Sequence, residues 1–159
     1  MPERKVFRAF VFADFQSLRK SDFSPEVVVL EANTPIHDST AYDRGFIIPP
    51  DVLSKATPRS CIPLYLGHDH KERLGQLCDF RYKSFEKRLV ARLHVPLEKQ
   101  KRFLALLSRG INGISLELHT LEERGKYLNR ALKIDIKAAA LVDRPACKRC
   151  RVKQRNGSR

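Results

Sequence analysis

Two short segments carry the residue types from which a hydrolase builds an active site. The first, LGHD at residues 66–69, ends an apolar run and contains His68; the second, NGISL at residues 112–116, opens another and contains Ser115. A serine becomes a strong nucleophile when a neighbouring base takes its proton, and histidine is well suited to that task near neutral pH. Ser115 is therefore a candidate nucleophile and His68 its candidate base. The alternative is a serine on a strand face and a histidine in a loop, neither of them catalytic.

Two glycines lie a few residues before the candidate nucleophile. Gly110 and Gly113 precede Ser115 in a segment expected to join a helix to a strand. Backbone N–H groups that approach a reacting carbonyl can stabilise the oxyanion of acyl transfer. Both glycines are candidate donors.

Hydrophobic patterning predicts the elements that position these residues. Strands are expected at 6–12, 27–30, 61–66, 74–82, 89–95, 111–119 and 131–142, a short helix after the prolines at 49–50, and an amphipathic helix at 97–107. Leu97, Phe103, Leu104 and Leu107 fall on one side of that second helix, and Gly110 is the expected stop. We predict an α+β fold, a mainly antiparallel, barrel-like sheet with two or so flanking helices.

The charge is strongly basic and unevenly distributed. The net charge is +13 over 159 residues. The segment 147–159 has six Lys or Arg residues and no Asp or Glu, so it carries +6 of that charge. We expect one domain at 1–146 and a basic, disordered tail at 147–159 that contacts an anionic partner, either nucleic acid without sequence preference or an acidic protein. A solvated tail with no partner is the alternative.

Cysteine usage and hydropathy indicate the compartment. Four cysteines in a chain long enough to build its own core predict free thiols in a reducing environment. The pair at 147 and 150, with His68 and His70, is a weaker alternative as a zinc site, so we expect no metal and no cofactor. No apolar run approaches the roughly 20 residues of a membrane span. We predict an intracellular protein without membrane contact.

Three sequence blocks resemble the prohead maturation proteases of tailed bacteriophages, a family distantly similar to the herpesvirus assemblins. They are IPLYLGHD at 62–69 followed by LG at 74–75, LLSRGINGISL at 106–116, and ALVDRPA at 140–146; DRGFIIP at 43–49 also fits. The resemblance covers about residues 40 to 147. It implies an assemblin-like fold with Ser115 as nucleophile and His68 as base, His70 being only a neighbour.

The same resemblance implies a function and partners. It implies a serine endopeptidase that cleaves capsid precursor and scaffold proteins, and itself, inside the assembling prohead in the host cytoplasm, with self-association also expected. Two other functions remain open: a protease-fold module that acts in capsid assembly without catalysis, and a basic nucleic-acid-binding protein. The paired GHD and GIS segments favour the protease, because a binding module needs no such pair.

The third catalytic residue is open at this stage. The family's closing block usually has an acidic residue where this chain has Ala138. Glu117 lies two residues from Ser115 on the same strand face, roughly 6.6 Å along, a distance that a histidine can bridge. Asp135 precedes Ala138 by three positions and faces the opposite side unless a bulge intervenes. Both carboxylates are candidates, whereas His119, roughly 13 Å along the strand, is too distant.

Overall fold

The computed structural model describes residues 26–36 and 45–143, together with the backbone of residues 3–11. In chain order the elements are β1 (Glu3–Val11), β2 (Glu26–Glu31), β3 (Phe46–Ile47), α1 (Pro50–Ser54), β4 (Ile62–Leu66), β5 (Arg73–Lys83), β6 (Arg88–His94), α2 (Leu97–Ser108), β7 (Gly113–Glu123) and β8 (Asn129–Val142). Neither helix in these ranges is long and apolar enough to cross a membrane. The predicted tail at 147–159 lies outside the described residues.

The strands form one curled, mixed sheet. Its order is β1-β7-β8-β4-β5-β6-β2, with β3 also beside β8. The ends of that order, β1 and β2, approach each other, so the sheet curls into a half-barrel. β3 and β4 run parallel to β8, and the other pairs are antiparallel. The expected α+β class with two helices agrees with this fold. The expectation of a mainly antiparallel sheet is partly wrong, because β8 pairs in parallel with β3 and β4, two strands that lie far before it in the chain.

Most predicted elements lie where the patterning placed them, with two differences. The two-residue β3 was not expected, because its pairing with β8 does not produce an alternating hydrophobic pattern in the sequence. Leu97 was expected to face the core but is 81% exposed, whereas Phe103 and Leu106 are buried. Leu97 is the first residue of α2, after Pro96, and lies before the turns that pack against the sheet.

The end of α2 aims the chain into β7. Gly110 adopts a φ of +84°, its N–H donates to the Leu107 carbonyl at 3.0 Å, and the Ile111 N–H donates to the Leu106 carbonyl at 3.0 Å. This is the Schellman arrangement, which favours glycine at the left-handed position. β7 begins at Gly113 and carries Ser115 as its third residue.

The β4–β5 hairpin presents His68. The Leu66 N–H donates to the Glu72 carbonyl at 2.8 Å, and the N–H of Gly67, at a φ of +73°, donates to the Leu141 carbonyl at 3.0 Å. Arg102 of α2 makes a two-pronged contact with the Glu72 carboxylate at 3.1 and 3.2 Å. The loop is thereby attached to β8, which lies next to the Ser115 strand, and to α2, which leads into that strand.

Gly75 has a packing role in this hairpin. A Cβ at that position would lie 2.2 Å from the backbone carbonyl oxygen of His94. β5 and β6 approach too closely there for any side chain. The LG step of the first sequence block is thus explained by backbone packing.

Cys61 and Cys78 form a disulfide bond. Register explains the pairing: Ile62 lies opposite Leu77, so the two cysteines are the next opposed pair along β4 and β5. The expectation of free thiols is therefore wrong for these two residues, because it used composition and ignored hairpin register.

Candidate functional site

Three neighbouring strands place small and polar side chains in rows on one face of the sheet. Ser115 of β7 lies opposite Ala140 of β8, which in turn lies beside Tyr65 of β4. Glu117 of β7 lies opposite Ala138 of β8. Because directly opposed residues share a face, the side chains of Ser115, Glu117 and the two alanines lie on the same face of the sheet.

His68 bridges the serine and the glutamate on that face of the sheet. Its Nε2 lies 2.7 Å from the Ser115 Oγ, and its Nδ1 lies 3.2 Å from Oε2 of Glu117. The His68 and Glu117 side chains are each 17% exposed, and Ser115 is completely buried. The structure thus brings together three of the candidate residues in a serine–histidine–carboxylate chain.

Ala138 and Ala140 leave space for the imidazole. His68 follows β4, whereas its two contacts stand on β7, and β8 lies between those strands. With strands spaced about 4.8 Å apart, the ring has to pass over β8 to reach β7. Methyl side chains at 138 and 140 are small enough to lie beneath a ring, so the alanine-rich segment of β8 has a steric role at this site.

The glutamate sets the tautomer of His68. Burial raises the pKa of Glu117, but the hydrogen bonds and the electrostatic attraction of His70 and His68 together lower it by more, so the pKa lies below its ordinary value of 4.5. An ionised carboxylate only accepts hydrogen bonds, so Nδ1 of His68 donates to it. In neutral His68 the Nε2 is then an acceptor, and the Ser115 hydroxyl donates to it. This is the protonation pattern that a general base requires.

A fourth residue, His70, also contacts the glutamate. Its Nε2 lies 2.6 Å from Oε2 of Glu117, the same oxygen that His68 meets. Its ring stacks on Tyr65, with centroids 4.2 Å apart and planes 13° from parallel. From the sequence, His70 was expected to be only a neighbour of the base His68. The sequence signal for this contact was the position of His70, two residues after His68 in a loop that begins with a glycine.

Asp135, the other candidate carboxylate, lies away from His68. Its register partner on β7 is His119, two residues beyond Glu117 along that strand. It lines a cavity of about 170 Å³ with His119 and another of about 350 Å³ with α1. Of the two candidate carboxylates, the structure brings Glu117 and not Asp135 to His68.

The two candidate oxyanion donors also differ. The N–H of Gly110 is used by the Leu107 carbonyl at the end of α2. Because that N–H already has an acceptor at the helix end, we favour Gly113 over Gly110 as the donor, and an oxyanion role for Gly110 stays a prediction. Gly113, opposite Val142 at the start of β7, remains a candidate.

The expectation of no metal site concerns the cysteines at 147 and 150 together with His68 and His70. The residues that the structure describes include no group of three or more His, Cys, Asp or Glu arranged to hold a metal ion. The CxxC cysteines at 147 and 150 lie outside the described residues.

The fold is similar to that of a solved viral protease. The capsid assembly protease gp21 of bacteriophage T4 superposes with a TM-score of 0.55 at 12% sequence identity, over 87% of this chain and 98% of that one. No protein-family model matches the sequence, and no curated protein is significantly similar to it. The chain therefore has a phage prohead protease-like fold, as the sequence blocks predicted.

Proposed function

We propose that this chain is a serine endopeptidase of phage capsid assembly, with Ser115 as nucleophile, His68 as general base and Glu117 as the carboxylate that orients His68. The observation that carries the proposal is the continuous contact from Ser115 Oγ through both His68 nitrogens to Glu117. The similarity of the fold to a capsid assembly protease supports the same conclusion independently.

The proposed reaction is acyl transfer in two halves. Ser115 Oγ attacks the carbonyl carbon of a peptide bond while its proton passes to Nε2 of His68. The tetrahedral intermediate then expels the amine, which takes that proton from His68 as the C–N bond breaks. Water repeats the sequence on the acyl-enzyme, releasing the carboxylic acid and restoring Ser115. Glu117 remains ionised and stabilises the imidazolium formed at each step.

The proposed substrates are capsid precursor and scaffold proteins, together with the chain itself. The name of the similar protease supports an assembling capsid as the place of action. The net charge of +13 would favour acidic segments of a scaffold, an attraction that added salt would weaken. Contact of the basic tail with nucleic acid stays a prediction.

A second candidate is an assembly module with the protease fold and no turnover. The complete burial of Ser115 favours it, because a substrate carbonyl reaches Oγ only after the covering groups move. The two candidates differ in one observable, the covalent reactivity of Ser115.

Co-expression with a candidate capsid precursor protein tests the proposal. We expect cleaved precursor with the wild type and with Ser108→Ala, an exposed serine on α2, but uncut precursor with Ser115→Ala, each read by intact mass. Precursor that stays uncut with the wild type, or is cut equally with Ser115→Ala, would refute the proposed function.

A further inference from the structure

The side chain of His70 is held from two sides. Its Nε2 contacts the Glu117 carboxylate at 2.6 Å, and its ring lies flat against Tyr65. At 43% exposure it is far more open to solvent than Glu117 or His68. An exposed histidine with two such specific contacts differs from a solvated loop side chain.

The backbone at His70 is in an unusual conformation. Its φ is +61°, in the left-handed region that residues with a Cβ seldom adopt. The hydrogen bond from the Leu66 N–H to the Glu72 carbonyl closes the loop that contains His70, and the one from the Gly67 N–H to the Leu141 carbonyl attaches that loop to β8. Such outliers are informative where the surrounding structure enforces them. Here the enforced conformation directs the His70 ring at Glu117.

Glu117 needs a second contact to be held in place. A glutamate side chain on a strand has several rotatable bonds, and fixing them has an entropic cost. The His68 contact alone is 3.2 Å long, whereas the His70 contact to the same oxygen is 2.6 Å. The shorter hydrogen bond therefore determines where Oε2 lies, and that oxygen in turn determines the ring orientation of His68.

We propose that His70 is a positioning residue, which holds Oε2 of Glu117 with its Nε2–H and thereby fixes the orientation and tautomer of His68. This inference rests on the proposed function for its catalytic consequence, but its structural content is independent of it. His70 itself contacts neither Ser115 nor the reacting carbonyl in this account.

Two substitutions separate the hydrogen bond from the stacking. His70→Gln keeps an N–H donor of similar reach, and His70→Phe keeps a flat ring against Tyr65 without a donor. The matched control is His94→Phe, a histidine at the end of β6 with 41% exposure and no part in the site. Thermal unfolding of each variant checks that the fold is retained.

The first readout is the rate at which a fluorophosphonate modifies Ser115, followed by intact mass. Loss of a hydrogen bond to a charged group predicts a rate about tenfold lower in His70→Phe, with most of the rate recovered in His70→Gln. An unchanged rate in His70→Phe, or an equal loss in both variants, would overturn the inference. The control His94→Phe is expected to react like the wild type.

The second readout is the downfield proton resonance of the His68 Nδ1–H, which reports its hydrogen bond to Glu117 without any reaction. We expect the resonance in the wild type and His70→Gln, and its loss or broadening in His70→Phe. An intact resonance in His70→Phe would overturn the inference. A wild type that shows the resonance but never reacts would instead refute the proposed function, so the two failures are distinguishable.

Discussion

Glu117 of β7 and Ala138 of β8 lie directly opposite each other, on the sheet face that carries Ser115. Opposed side chains on neighbouring strands have Cβ atoms about 5 Å apart. A carboxylate on β7 therefore occupies almost the same region as one at position 138 would. The alanine that stands where the resemblance leads us to expect an acidic residue is thus matched across the strand by a glutamate.

The first prediction concerns the identity of the carboxylate. Glu117→Gln should lower the rate of Ser115-dependent cleavage by on the order of 10³ to 10⁴, because the amide does not enforce the His68 tautomer. Asp135→Asn, which lies beside His119, should leave that rate within about twofold of the wild type, as expected for a change outside the reacting groups. A larger loss in Asp135→Asn than in Glu117→Gln would reverse the assignment. The measurement is cleavage of the capsid precursor by purified variants.

The second prediction concerns the space above β8. Ala138→Leu should displace the His68 ring and lower the fluorophosphonate rate by about 10², since small misplacements of a catalytic group have effects of that size. Lys137→Leu, at the neighbouring exposed position, is the matched control and should react normally. Equal rates in the wild type and Ala138→Leu would show that the ring does not depend on the alanine. Circular dichroism verifies that both variants fold.

The third prediction concerns the disulfide between Cys61 and Cys78. Both sulfurs should resist alkylation until a reductant is added, as read by peptide mass. The double variant Cys61→Ser with Cys78→Ser should lose about 3 kcal/mol of unfolding free energy, the amount expected for a bridge of this sequence separation. Reductant should destabilise the wild type in urea and leave the double variant unaffected. Alkylation of either cysteine without reductant would contradict the pairing.

The fourth prediction concerns acid stability. The pKa of Glu117 is lowered on folding, against an ordinary value of 4.5, so its ionised form is favoured in the folded state. Its stabilising contribution is complete above about pH 4.5 and is lost as the pH falls through the lower, folded pKa. As the pH falls from about 4.5 to 3, the wild type should lose more unfolding free energy than Glu117→Gln does. Parallel pH dependences, measured by urea unfolding, would contradict the shift.

Sequence reasoning reached the local elements and two of the central contacts. Strand alternation and the Gly110 stop are properties of neighbouring residues, so β5, β6 and α2 were predictable. The spacing of Glu117 from Ser115 identified a carboxylate that a histidine could bridge. The period-two geometry of a strand made that inference possible.

The features that the sequence did not predict depend on contacts between segments that are distant in the chain. The parallel pairing of β4 with β8 makes the sheet mixed, and no local pattern encodes it. The Cys61–Cys78 bridge needs the hairpin register, and the His70 contact needs the loop conformation at a positive φ. The sequence assigned Gly110 two roles, and its hydrogen bond to Leu107 supports the role of helix stop.

The central claim is that His68, oriented by Glu117, activates Ser115, and one covalent labelling measurement tests it most directly. A fluorophosphonate forms a bond from Ser115 Oγ to phosphorus as fluoride leaves, and only an activated serine reacts readily. Peptide mapping should locate a single adduct on Ser115 in the wild type and none in His68→Ala. A wild type that stays unmodified, or an adduct on Ser115 that forms equally in His68→Ala, would contradict the account.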